Sequence, residues 1–391
     1  MVRHGIQQGP QIAVQRRIAL VTSSYPAGAA DYAGAFVPGF AAALAARGCE
    51  VVVLTPDKAG PKERPTTHEV RWFEWSGASK PLVDFSLRSP ADLRAVFSLL
   101  GAGRRALEDL IAERRIDHCL ALWAVPSGYL AWRACRPAVP YSVWALGSDI
   151  HTWARRPVIG TLVRRVLRDA DRRFADGLAL SADVRRISGR DCEFLPTTRQ
   201  LPEPAQILKP AHEGLTFLFV GRLEAVKGAD LLVEAMARVL ARGINARLIL
   251  CGTGSLEDAL RLRVEQARAS EEIEFLGSQP GAVISAYMSA CDCLVIPSRM
   301  ESIPIVFSEA LQAGIPVLMT DVGDLGELAR RHDLTAPVPP GDAEALARAL
   351  EAFALDPDGQ RALYRRARQE LLATFDLQAT ADRFLAAIGG S

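Results

Sequence analysis

The sequence predicts an α/β protein made of two parallel-sheet units that face each other across a cleft. Three observations lead there. Short apolar runs alternate with helical patterns almost throughout, the β-α-β rhythm of a sheet covered on both faces. A proline-rich stretch without helical period, LPTTRQLPEPAQILKPAHEG at 195–214, interrupts that rhythm. A second β-α series then begins. The division expected is a first domain over 1–200, a linker over 201–214 and a second domain over 215–370. A C-terminal helical segment, 371–391, is expected to return to the first domain.

In the first unit RIALVTS reads as a strand and FAAALAARG as a helix stopped by Gly48. CEVVVLTP, DHCLALW, PYSVWAL and FADGLALS read as further strands. In the second unit the strands are LTFLFVG, ARLILCG, IEFLG, CLVIP and PVLMT. Helical segments close the chain near 342–354, 359–374 and 377–387.

Composition excludes several function classes. The chain has 391 residues, 49% of them hydrophobic, which suits two buried cores. A formal net charge of +1 offers no basic excess for a nucleic-acid partner. Of seven cysteines only Cys291 and Cys293 are close, without zinc-knuckle spacing, so they read as reduced core thiols of a cytoplasmic protein. The histidines do not cluster, and no metal site is expected. MVRHGIQQGPQIAVQRR lacks the apolar region of a signal peptide, and its first ~15 residues read as a mobile tail. No apolar window reaches the about 18 residues of a membrane span.

In facing α/β sheets the residues just past each strand line the ligand crevice. GAGRRA at 101–106 mimics a dinucleotide fingerprint but follows a helical pattern. CGTGSLE follows a strand, yet Glu257 occupies its third small position. Gly252 and Gly254 therefore fit a turn passing close to a ligand or to the neighbouring sheet. In FVGRLEAVKGADLL, Arg222 and Lys227 sit between a strand end and a helix start near Gly228, a pattern suited to a diphosphate or to two solvated cations. In PSRMESIPIVFSEALQAGIPV, Ser302 is the candidate N-cap, Pro304 lies in the first turn and Gly314 ends the helix. Glu301 and Glu309 are eight residues apart in an apolar setting, where a carboxylate is costly unless paired. Either they face water or they hold a polar ligand such as a vicinal diol.

These matches, in order, resemble family 4 of the retaining glycosyltransferases, which have the GT-B fold. GRLEAVKGADLLVEA, CGTGSLEDAL, FLGSQP, YMSACDCLVIPS, the E-x7-E segment ESIPIVFSEALQAGIPV and TDVGDLGELA follow the family order over 215–335. YPAGAADYAGAFV, LWAVPSG and LGSDI extend the likeness more weakly into the first half. The resemblance implies a nucleotide-diphosphate sugar as donor substrate, no cofactor, no metal, and a saccharide or lipid-linked acceptor on the N-terminal domain. It implies that Arg222 and Lys227 bind the donor diphosphate, Glu309 the ribose and Glu301 the transferred sugar. Leu276 and Gly277 would lie near the base, Ser302 and Ile303 in the substrate-binding turn, and the Gly28 to Gly34 loop beside the donor phosphate and acceptor.

Two departures stand out. Leu146 replaces the histidine that family members often carry before GSD, so either the protein does without it or Asp149 or His151 takes part. Pro304 followed by Ile305 replaces a commoner glycine form and leaves the donor sugar open. A non-catalytic nucleotide-sugar-binding subunit and a sugar-nucleotide epimerase of similar fold are the alternative readings. Finally, TWARRPVIGTLVRRVLRDADRRFAD at 152–176 is arginine-rich with interleaved Val and Leu. It reads as a solvated helix face or as a basic amphipathic helix lying on anionic lipid at the inner face of the membrane.

Overall fold

The computed structural model describes residues 16–28, 31, 33–80, 85–86, 89–204, 214–332, 334 and 336–389. The expected N-terminal tail, residues 29, 30 and 32 of the Gly28 to Gly34 loop, and 205–213 of the expected linker lie outside the described residues.

The N-terminal strands are β1 (Arg17–Val21), β2 (Glu50–Pro56), β3 (Glu69–Phe73), β4 (His118–Leu122), β5 (Tyr141–Ala145), β6 (Arg172–Ala175) and β7 (Glu193–Phe194). They form one parallel sheet in the order β3-β2-β1-β4-β5-β6-β7. Helices α1 (Val37–Ala45), α2 (Pro90–Arg114), α3 (Ser127–Ala134), α4 (Pro157–Asp169) and α5 (Leu178–Ser188) cover its faces. The second sheet holds β8 (Leu215–Val220), β9 (Ala246–Cys251), β10 (Ile273–Gly277), β11 (Cys293–Ile296) and β12 (Val317–Met319), ordered β10-β9-β8-β11-β12. Its helices are α6 (Ala229–Ala241), α7 (Glu257–Gln266), α8 (Gly281–Ala290), α9 (Ile305–Ala313), α10 (Leu325–Arg331) and α11 (Ala343–Leu355). Strand order reverses between β1 and β4 in one sheet and between β8 and β11 in the other. These are the switch points at which α/β sheets open a crevice.

Local signals explain many boundaries. Ser89 accepts the Asp92 amide at 3.3 Å to start α2, and Pro90 takes the first helical position, where no N–H is missed. Gly314 ends α9 at φ +77°. GAGRRA lies inside α2, which disposes of it as a fingerprint. Two segments differ from expectation. FADGLALS is not one strand: β6 stops at Ala175 and α5 begins at Leu178. The segment 152–176 is not one amphipathic helix. It contains the end of a π-helical turn (Asp149–Trp153), α4 and β6. Arg172 lies on the strand, and buried Arg173 donates to the Asp191 and Ala170 carbonyls.

After α12 (Pro357–Thr374), the last helix α13 (Leu377–Gly389) packs on α1 of the N-terminal domain. Phe384 is fully buried, with its ring 5.7 Å from both Phe40 and Phe174. Just before α13, Phe375 meets Phe307 of α9 at 5.5 Å and Phe194 of β7 at 6.3 Å. One chain segment thus joins both cores. Phe384→Ala is expected to cost about 3–5 kcal/mol through lost burial and the cavity left behind. Urea unfolding monitored by tryptophan fluorescence checks this.

Candidate active site

A cleft of about 670 Å³ runs between the carboxyl ends of the two sheets. Arg222 and Lys227 enter it from the loop after β8, and Glu301 from the segment after β11. The two strands are neighbours at the switch point, so these residues converge although they are more than 70 positions apart. Lys227 Nζ donates to Glu301 Oε2 at 2.5 Å, and both side chains are mostly buried. Arg222 is exposed in the cleft and forms no ion pair among the described residues. The start of α9 closes this end. Its first turn contributes Ile305 and Val306 to the lining, where helix amides lack intrahelical acceptors.

Ser302 is not the N-cap. Pro304 holds that position without a side-chain bond, because Ser302 Oγ instead donates to Asp176 Oδ1 of the other domain at 3.0 Å. Ile303, nearly buried, lines the cleft beside it. Glu309 lies one turn into α9 and is 2% exposed. Its Oε1 accepts Arg199 Nε at 2.6 Å, and Arg199 faces the cleft from the segment after β7. Glu309 Oε2 makes no hydrogen bond among the described residues. Each glutamate of the E-x7-E pair therefore has its own cation.

Asp149 does not line the cleft. Its fully buried carboxylate accepts the amides of Ala124 at 2.7 Å and Leu146 at 3.2 Å, fixing the loop after β5. His151 faces Asp183 at 3.8 Å. Leu146 is part of the cleft wall. Gly252, at φ +146°, lines the cleft, and an added Cβ there would stand 1.9 Å from the Gly221 carbonyl oxygen. A Cβ at Gly254 would stand 2.5 Å from the Leu223 carbonyl oxygen, so both glycines serve the approach of neighbouring strand ends. Gly28 rests near Glu63 and Gly34 near the Ser24 carbonyl, while Leu276 and Gly277 end β10. These four are outside the lining. A D-A-D triplet, Asp169 to Asp171, escaped the sequence reading. It lies at the amino end of β6, where Asp169 holds Trp132 and Arg136 and Asp171 holds the Tyr141 amide.

Asp176, with no signal in the sequence, lines the cleft at the end of β6. Burial, and then the nearby Asp149, Glu301 and Asp324 carboxylates, push its pKa well above the usual aspartate value despite the Ser302 bond. Asp324, at the start of α10, accepts the Leu178 and Ala179 amides at 2.5 and 2.9 Å. It thereby caps α5 from the opposite domain.

Two facing parallel-sheet domains, with cations and carboxylates gathered at the strand ends between them, define the two-domain class to which GT-B enzymes belong. The family model described as Glycosyl transferases group 1 matches residues 203–370, and that of the Glycosyl transferase 4-like domain matches 33–196. Glycogen synthase of Mycobacterium tuberculosis is 27% identical over 96% of this chain and 95% of its own. Among solved structures, sucrose-phosphate synthase from Thermosynechococcus elongatus superposes with a TM-score of 0.78 at 23% identity, over 96% of this chain and 100% of that one. Anabaena HepE in complex with UDP and glucose superposes at 0.69 and 16%, with the same coverage. The chain belongs to the group 1 glycosyltransferases and has the GT-B fold.

A carboxyl with a raised pKa stabilises the fold fully below its unfolded value and loses that contribution as pH rises through its folded value. Asp176→Asn is therefore expected to match wild type in melting temperature below the usual aspartate range. Above that range it should exceed wild type by a margin that grows with pH until Asp176 is ionised. Thermal melts across pH check this; a margin independent of pH would contradict it.

Proposed function

We propose that the protein is a retaining, metal-independent transferase that moves a sugar from a nucleoside-diphosphate sugar to a hydroxyl of a saccharide or lipid-linked acceptor. The observation that carries this reading is the Lys227–Glu301 pair at the switch point, beside Arg222, which has no ion pair among the described residues, and the start of α9. A diphosphate sugar supplies both groups that the pair is suited to meet. Its diphosphate takes Lys227 and Arg222, and a hydroxyl of its sugar takes Glu301. As the bond from the anomeric carbon to the leaving oxygen breaks, negative charge grows on the diphosphate, where fixed cations and helix amides oppose it. The acceptor oxygen bonds to the same face of the anomeric carbon and passes its proton to a donor phosphate oxygen. No side chain is assigned as general base, and the catalytic power is positional and electrostatic. The ribose would lie on the free Oε2 of Glu309, whose other oxygen Arg199 holds in place.

Calorimetry with UDP, GDP, ADP and dTDP, with and without Mg²⁺, tests the donor site. One nucleotide is expected to bind without metal, with Lys227→Ala weakening it about 10- to 100-fold and Glu309→Ala also weakening it. HepE, solved with UDP, favours UDP as the first ligand to try. If no nucleotide binds, or the variants match wild type, the reading fails.

A lipid-linked acceptor would bring the protein to the inner face of the membrane. In support, Arg155, Arg156, Arg164, Arg165 and Arg168 are exposed on and just before α4, and none forms an ion pair among the described residues. Val158 beside them is 83% exposed. Each arginine near an anionic surface contributes about 1 kcal/mol. Replacing Arg155, Arg164 and Arg168 by serine should thus weaken binding to phosphatidylglycerol vesicles at low salt by about two orders of magnitude. Wild-type protein that ignores such vesicles would contradict membrane contact.

A further inference from the structure

We propose that Trp123 and Asp176 form a pyranose-binding subsite on the N-terminal wall of the cleft, a proposal that rests on the glycosyl-transfer reading of that cleft. Trp123 is the first residue past β4, at the switch point between β1 and β4. Its φ of +69° is left-handed, a strained conformation for a bulky residue and one that persists only where the surroundings enforce it. Here they do. The Trp123 amide donates to the Trp144 carbonyl at 2.9 Å, and its own carbonyl accepts the Gly128 amide at 3.0 Å.

The indole lines the cleft, and its N–H has no acceptor among the described residues. Phe36 meets it edge-on at 6.4 Å and 61°, and Phe36 in turn packs on buried Trp144 at 5.6 Å. The result is a backed aromatic platform with one unused polar edge. Asp176 lines the same wall and is 6% exposed. Ser302 occupies its Oδ1, and Oδ2 has no partner among the described residues. It is the one carboxylate that the N-terminal domain adds to the described lining, and neighbouring Leu146 contributes no hydrogen bond there.

A pyranose has an apolar C–H face and a rim of hydroxyls. An aromatic platform beside a carboxyl is its chemical complement. The carboxyl can serve in either protonation state, accepting from a hydroxyl when ionised and donating to one when protonated. Asp176 is bonded to Ser302, the residue after Glu301, which places the subsite at the sugar end of the cleft. The bond is 3.0 Å long. The pyranose can belong to the acceptor or to the donor.

The test uses the full chain. Saturation-transfer NMR is run with methyl α-D-glucopyranoside, methyl α-D-mannopyranoside and methyl α-D-galactopyranoside, with UDP or GDP present and absent. Calorimetry compares UDP-glucose and GDP-mannose with UDP and GDP. At least one pyranose is expected to bind, with Trp123→Ala and Asp176→Ala each weakening it about tenfold or more. Trp123→Phe should retain most of the binding, and nucleotide affinity should stay within about twofold of wild type. Loss of the free pyranosides identifies an acceptor sugar. A loss confined to the nucleotide-sugars, whose affinity falls to that of the nucleotide alone, identifies the donor sugar. If Trp123→Ala does not fold, Asp176→Ala decides alone. The proposal is overturned if wild type binds no pyranose in either form, or if the folded variants bind as wild type does. If pyranosides bind through Trp123 and Asp176 while no nucleotide binds, the subsite stands and the donor-site reading falls.

Discussion

The contact on which the cleft depends is centred on Gly177. Asp324 of the C-terminal domain accepts the first two amides of α5, and Ser302 bonds to Asp176, one residue before that glycine. A Cβ at Gly177 would stand 2.3 Å from Ser302 Oγ and 2.5 Å from Asp324 Oδ2, so any larger residue would push both side chains out of their present positions. The helix start of one domain is thus satisfied by the other. Removal of an N-cap costs about 0.5–2 kcal/mol, and here that cost would be felt as loosened domains. Together with Arg199–Glu309 and the seating of α13 on α1, it fixes which strand ends face each other.

That constraint also explains the site's electrostatics. Asp176 and Asp324 are drawn in between the domains, Asp149 is buried behind them under the loop after β5, and burial raises the pKa of each. Asp149 and Asp324 are engaged by backbone amides, whereas one oxygen of Asp176 has no partner among the described residues. Opposite them stand the cations Arg222 and Lys227. The cleft therefore carries both signs on each side, with Arg222, Lys227 and Glu301 on the C-terminal side and Asp176, Arg199 and an aromatic wall on the N-terminal side.

Much of this was legible in the sequence where signals are local. Apolar runs marked most strands, and Gly314 marked the end of α9. The E-x7-E segment and the Arg222 to Lys227 spacing pointed to residues that the structure gathers at one switch point, with Glu309 buried just behind. Where the signal comes from another part of the chain, reading failed. FADGLALS looked like one strand because α5 carries no capping side chain of its own; its cap is 145 residues away. Ser302 looked like a cap because its real acceptor, Asp176, lies in the other domain. Arg173 looked like part of a basic face, yet backbone carbonyls around β6 absorb it. The platform at Trp123 depends on a left-handed backbone that nothing local announces.

The most direct measurement of the central claim is a crystal structure with a nucleoside diphosphate bound. The account predicts the diphosphate in hydrogen-bond contact with Arg222 and Lys227, with Lys227 drawn away from Glu301. It also predicts the ribose hydroxyls on Glu309. A nucleotide bound elsewhere, with the Lys227–Glu301 pair intact, would contradict it.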